Sequence, residues 1–169
     1  LEDDYAGDTS TSGSIYLNPF TGSAGGELET EGDHDWFAIT LEAGNRYHFI
    51  QDSDEFDSLF YLRDSTGNAV SYDSAPGNYA LIDYTVETTG TYYLDVSGDS
   101  TGTYNIYVEE IFTDDYAGDI STTGRLEIGG NVTGFLATAE DHDWFQISID
   151  SAGEYSFSAY VHPIHEMNL

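Results

Sequence analysis

The sequence predicts an all-β protein, an antiparallel β-sandwich of jelly-roll type arranged as a tandem repeat. Three observations predict it. Apolar residues alternate with period two along most of residues 35–108, the mark of half-buried strands. Clusters of Gly, Asn, Asp and Ser interrupt that alternation at short intervals. Two blocks also recur: Asp3-Asp4-Tyr5-Ala6-Gly7-Asp8 returns letter for letter as Asp114-Asp115-Tyr116-Ala117-Gly118-Asp119, and Asp33-His34-Asp35-Trp36-Phe37 returns as Asp141-His142-Asp143-Trp144-Phe145.

Taken in order, Phe37, Ile39 and Leu41 share one face of a strand, and Tyr47 and Phe49 belong to the next. Leu59 to Leu62, Ala69-Val70, Leu81 to Val86, Tyr92 to Val96 and Tyr104 to Val108 supply the others. Between them lie turn signals at Ala43-Gly44-Asn45, Asp64 to Asn68, Pro76-Gly77-Asn78, Thr89-Gly90 and Gly98 to Gly102. The count comes to eight or nine short strands, and no window carries a capped stripe of helical period.

The first block recurs at an offset of 111 (from 3 to 114) and the second at 108 (from 33 to 141), so three residues are lost or gained between them. The slip falls around Asn18 to Gly25, where a surface loop tolerates length change. A repeat of about 110 residues is the size of a small domain, far longer than a solenoid unit. Residues 1–112 read as one complete sandwich and residues 113–169 as a truncated second copy, joined with almost no linker. The second copy tracks the first as far as Tyr155-Ser156-Phe157 and has no counterpart of Leu59 to Val108. Its strands are expected at roughly Leu126 to Ile128, Val132 to Leu136, Trp144 to Ile149 and Glu154 to Ala159. Half a sandwich leaves an apolar face and an open edge, so this copy is expected to pack on the first, to pair with another chain, or to continue beyond Leu169.

Three Lys+Arg stand against 32 Asp+Glu, a formal charge of −29 and a pI near 4.1. Nucleic acid and anionic lipid are excluded as partners, because phosphate binding needs the opposite sign. With 39% hydrophobic and 15% aromatic residues the acidity does not mean disorder. There is no Cys, and no apolar stretch approaches the roughly 20 residues of a membrane span. The chain begins at Leu1 without an initiator Met or signal segment, which points to a processed or excised piece of an extracellular protein.

Most of the acids read as a solvated surface, but some recur where a surface would not need them. Alternation puts Asp33 and Asp35 in phase with Phe37, Ile39 and Leu41, at the inward edge of the sheet. Two carboxylates 4 Å apart repel by about 1 kcal/mol in water and about 4 kcal/mol at a partly buried site, so such a pair needs a counter-charge. The first copy offers only Arg46 and Arg63. A hard cation with oxygen ligands fits, and calcium suits an irregular set of carboxylates and carbonyls better than magnesium. Asp3, Asp4 and Asp8 close the same site if the leading segment folds back over the strand. The equivalent set in the second copy is Asp114, Asp115, Asp119, Asp141 and Asp143. The competing reading is that Asp33 and Asp35 satisfy turn amides and that the Asp-Asp-Tyr run is an exposed linker.

The pattern Asp-Asp-Tyr-Ala-Gly-Asp, then Gly32-Asp33-His34-Asp35-Trp36-Phe37-Ala38-Ile39-Thr40-Leu41 with Ala43-Gly44, then Leu62, Asp64-Ser65 and Gly67, then Gly90-Thr91-Tyr92-Tyr93-Leu94-Asp95-Val96, resembles the bacterial pre-peptidase C-terminal domain family. The resemblance covers nearly all of the first copy and the first half of the second. It implies a non-catalytic β-sandwich appended to secreted proteases and other exoproteins. It also implies calcium held between the leading acids and the strand-start acids, by position Asp3, Asp4, Asp33 and Asp35, and Asp114, Asp115, Asp141 and Asp143. The leader here is rich in Asp where the collagenase relatives carry Glu and Asn.

Catalytic motifs do not survive inspection. Gly98-Asp99-Ser100-Thr101-Gly102 has the letters of a nucleophile elbow, but it reads as a hairpin loop between two strands rather than a strand-to-helix turn. His162-Pro163-Ile164-His165-Glu166 lacks zincin spacing, and Pro163 opposes the helix that spacing needs. His34 and His142 lie out of phase with their flanking acids and are expected to face solvent. Tyr93 and Tyr107 point away from the core on neighbouring strands, so they form either a platform for a glycan or an extended polypeptide, or plain sheet cover. Two function classes remain. One is a non-catalytic, calcium-binding accessory domain of a secreted hydrolase, aiding substrate binding, secretion or stability and contacting its neighbouring domains and a polysaccharide or fibrous protein. The other is a calcium-stiffened repeat of a surface adhesin, surface-layer or filament protein, with self-association through the incomplete copy.

Overall fold

The computed structural model describes residues 3–74, 79–138 and 140–160. The Pro76-Gly77-Asn78 turn and the His162 to Glu166 segment lie outside the described residues. The chain divides into two compact units, Leu1–Phe112 and Thr113–Leu169.

Unit 1 is all β. Its strands are β1 (Gly13–Ser14), β2 (Thr21–Leu28), β3 (Asp35–Leu41), β4 (Arg46–Asp52), β5 (Ser58–Arg63), β6 (Ala69–Ser74), β7 (Tyr79–Thr85), β8 (Gly90–Gly98) and β9 (Gly102–Ile111). They form a five-stranded sheet in the order β1-β3-β8-β5-β6 and a four-stranded sheet in the order β2-β9-β4-β7. All pairings are antiparallel except β1 with β3. The alternating residues of both sheets meet in one core, with Phe37, Leu94 and Phe60 from the first and Tyr47, Phe49 and Ile106 from the second.

Only β5 and β6 are neighbours both in sequence and in a sheet. Every other connection leads to the opposite sheet or to a strand farther off. The Gly98 to Gly102 link is therefore an arch between sheets and not the hairpin expected of it. One further difference concerns the slip region. Thr21–Leu28 is a strand, paired along its whole length with β9, where the sequence pointed to a loop. Its composition, Thr-Gly-Ser-Ala-Gly-Gly-Glu-Leu, hides it, since Gly disfavours strands and no apolar alternation marks it.

Unit 2 contains no strand among its described residues, only an isolated bridge between Arg125 and Gln146. The four strands expected there do not form among the described residues. In unit 1, β3 pairs with β8, β2 with β9, and β4 with β7 and β9, and the described residues of unit 2 carry no equivalent of β7, β8 or β9. The one pairing internal to the first part of the repeat is β1 with β3, which joins Ser14 to Ala38. Its equivalent, Arg125 with Gln146, is the bridge that survives.

Candidate metal centre

The leading segment of unit 1 folds back over the start of β3, and short-range bonds fix its path. Asp8 Oδ1 accepts from Ser10 N at 2.7 Å, closing a turn, and Thr11 Oγ1 donates to the Trp36 carbonyl at 2.7 Å. Ile15 N then donates to the Ala38 carbonyl at 2.9 Å, beginning the parallel pairing. Tyr5 packs on Phe37 with ring centroids 4.5 Å apart. Gly7 permits the closest approach, because a Cβ there would lie 2.7 Å from the His34 carbonyl oxygen.

This path brings Asp3 to Asp33 and Asp35, together with Glu29 at the end of β2. Each of the four offers a ligand oxygen within 4.8 Å of the others. Backbone donors hold them. Glu29 N donates to Asp33 Oδ2 at 3.0 Å, His34 N to Asp33 Oδ1 at 2.8 Å, and Asp4 N to Glu29 Oε1 at 3.1 Å. Asp35 is fully buried. Its Oδ2 accepts from the Tyr104 hydroxyl at 2.6 Å, while its Oδ1 is buried without a partner, as is Glu29 Oε2. Tyr104 reaches across β2 only because residue 26 is Gly, where a Cβ would lie 2.3 Å from the hydroxyl oxygen.

The electrostatics follow from this crowding. Burial pushes the Asp35 carboxyl up to about 7, the Tyr104 bond pulls it down, and Asp4, Asp33 and Glu29 push it up again. Glu29 is raised mainly by burial and Asp4 likewise. Burial first, and then the Asp35 bond, carry the Tyr104 phenol far above its ordinary range. A carboxylate with a free buried oxygen among three other acids suits a hard, oxygen-seeking cation, and the irregular mix of Asp and Glu suits calcium.

Of the acids singled out by sequence, Asp3, Asp33 and Asp35 come together. Asp4 instead accepts from Glu27 N at 3.3 Å, and Asp8 is taken up by its turn with Ser10, whose bonds lower its carboxyl. Glu29 was not legible, since it lies in the link before β3 and outside that strand's alternation. In unit 2 the cluster is Asp114, Asp141 and Asp143, with Asp143 Oδ1 buried and unpartnered. Asp115 accepts from Phe135 N at 3.1 Å and Asp119 closes a turn with Ser121 N at 2.7 Å, as Asp4 and Asp8 do in unit 1.

His34 keeps its side chain 42% exposed but also makes a contact the sequence did not show. Its Nδ1 lies 2.9 Å from Oδ1 of the fully buried Asp95, while His142 is exposed. Arg63 completes that cluster, with Nε 2.8 Å and Nη2 2.7 Å from Asp95 Oδ2 and its guanidinium 4.8 Å from the centroids of both Trp36 and Tyr61. The tyrosine platform fails on topology. Tyr93 is on β8 and Tyr107 on β9, in different sheets, so their outward faces lie on opposite sides of the core. Tyr93 is half-buried against Trp36, at 5.6 Å between centroids, and Tyr107 is exposed. Ser100 Oγ donates to the Glu55 carbonyl in the arch, which is not the setting of a nucleophile.

Residues 33–98 match the family model of the bacterial pre-peptidase C-terminal domain. The matched span runs from the residues before β3 to the end of β8 and takes in Asp33, Asp35, Arg63 and Asp95. Comparison with curated proteins finds no match. Among solved structures, the chain is similar to the pre-peptidase C-terminal domain of collagenase from Bacillus anthracis, at 23% identity over 57% of this chain and 93% of that one, with a TM-score of 0.46. It is also similar to PliG of Aeromonas hydrophila, a periplasmic inhibitor of g-type lysozyme, at 10% identity over 58% and 96% with a TM-score of 0.47. Among the described residues no helix is long and apolar enough to cross a membrane.

Proposed function

We propose that this chain is a non-catalytic accessory module of a secreted bacterial hydrolase, its sandwich stabilised by calcium. Asp35 carries the reading: it is fully buried, one of its oxygens has no partner, and Asp3, Glu29 and Asp33 surround it. The family match at residues 33–98 supports the accessory role. Calcium there neutralises mutually repelling carboxylates and ties the leading segment to the start of β3 and the end of β2. The module's task is then to contact its neighbouring domains and, through the sandwich surface, a polysaccharide or fibrous protein substrate.

A second reading has its own observation. The leader is built twice with the same bonds. Thr122 Oγ1 donates to the Trp144 carbonyl at 2.7 Å as Thr11 does to Trp36, and Tyr116 packs on Phe145 at 4.8 Å as Tyr5 does on Phe37. On this reading residues 113–169 are a second copy of the same domain, and the chain is part of a calcium-stiffened tandem array in a surface protein.

Thermal unfolding in calcium and in chelator tests the shared part of both readings. Bound calcium at about 100 times its Kd adds about 2.7 kcal/mol, which raises the melting temperature by several degrees. A melting temperature indifferent to chelation would remove calcium from the proposal.

A further inference from the structure

We infer that Glu29 completes the cation site of unit 1, and that Ala137 at the corresponding position leaves unit 2 without a tight site, so the protein takes up one ion tightly rather than two. The inference rests on the calcium reading above.

The correspondence is fixed by backbone geometry. Glu29 N donates to Asp33 Oδ2 at 3.0 Å, and Ala137 N donates to Asp141 Oδ2 at 2.6 Å. Nearby, Glu27 N meets Asp4 and Phe135 N meets Asp115 in the same way. The two scaffolds thus agree while one ligand side chain differs. In unit 1 the Glu29 carboxylate is anchored through Oε1 by the Asp4 N–H, and its Oε2 is buried without a hydrogen-bond partner. Among the described residues no protein group satisfies that oxygen or Asp35 Oδ1, and a cation among the four acids would satisfy both.

Among the described residues of unit 2 the cluster falls to three acids, Asp114, Asp141 and Asp143. Calcium affinity follows the charge count of its ligands, and that count is lower here. Asp143 is only half-buried and receives no phenol hydrogen bond of the kind that Tyr104 gives Asp35. Asp143 Oδ1 is likewise buried without a partner, but one fewer carboxylate stands beside it to hold an ion.

The test is calcium titration of the full 169-residue chain, stripped of metal, by calorimetry with stoichiometry read directly. One tight site per chain is expected. Glu29→Gln, which keeps size and shape, should weaken that site by about tenfold or more, with the chelated protein still melting cooperatively. Ala137→Glu should raise the count of tight sites from one to two. Two equally tight sites in the wild type would overturn the inference, and so would an unchanged affinity in Glu29→Gln or a count still at one in Ala137→Glu. Absence of any calcium heat in the wild type would remove the calcium reading itself and this inference with it.

Discussion

Asp35 and Gln51 are both fully buried polar side chains with unpartnered atoms, yet they call for opposite treatment. Asp35 belongs to a cluster that a cation can satisfy. Without a cation its carboxyl titrates near 7 in the folded chain, raised by burial from an ordinary value of 3.8. The folded state then holds the proton more tightly than the unfolded state, so this group's contribution to stability falls as pH rises from about 4 to about 7 and stays low above that. Chelated protein should therefore melt at a lower temperature at pH 8 than at pH 5, and calcium should shrink the difference. Asp35→Asn should raise the melting temperature in chelator at pH 8 and lower it in calcium; a shift of the same sign in both would show that Asp35 does not face an ion. Gln51 belongs to no acid cluster among the described residues. It lies inward on β4 between Ala80 and Ile106 of the adjoining strands, with both its amide nitrogen and oxygen buried and unpartnered. Leaving a polar group unpaired costs roughly 1–3 kcal/mol, so the near-isosteric Gln51→Met should stabilise unit 1 by about 1 kcal/mol. Urea unfolding checks this, and a lower midpoint would mean that the amide is satisfied in solution.

Among the elements, β3, β8 and β9 were legible because Phe37, Ile39 and Leu41, Tyr92, Leu94 and Val96, and Tyr104, Ile106 and Val108 alternate as a strand with one buried face must. β2 was not legible, because its Gly-rich strand is held by pairing with β9 and contributes only Leu28 as a buried apolar side chain. Pairing was the harder matter. A short link between β8 and β9 reads as a hairpin, but inward faces on both strands are met equally well when the chain arches from one sheet to the other. The same blindness hid the Asp95 cluster. Alternation puts Asp95 on the outer face of β8, and only the three-dimensional approach of Arg63, Trp36 and His34 covers it. Arg63→Met should destabilise unit 1 by about 3 kcal/mol, since it strands a buried carboxylate. Arg63→Lys should recover only part of this, because an ammonium cannot copy the two-nitrogen contact or the stacking between rings. Full recovery by Lys in urea unfolding would reduce the role of Arg63 to charge alone.

For the molecule as a whole, two terms of opposite sign meet in unit 2. Trp36 is 7% exposed in unit 1, whereas its equivalent Trp144 is 50% exposed, and Leu136, Ile149, Phe157 and Tyr160 are exposed as well. Apolar surface of this kind drives association. A net charge of −29 spread over 169 residues drives copies apart. Salt decides between them, because screening shortens the reach of the repulsion from about 30 Å at 0.01 M to about 3 Å at 1 M while leaving apolar attraction in place. The chain is therefore expected to sediment as a monomer in low salt and to form dimers or larger species near 1 M sodium chloride. Trp144→Ser with Phe157→Ser should keep it monomeric at both, whereas Tyr107→Ser, on the exposed outer face of unit 1, should not. Sedimentation velocity at the two salt concentrations distinguishes the outcomes. A monomer at 1 M would mean that the apolar side chains of unit 2 are covered in solution, and association unaffected by the Trp144 and Phe157 changes would move the contact to the sandwich of unit 1.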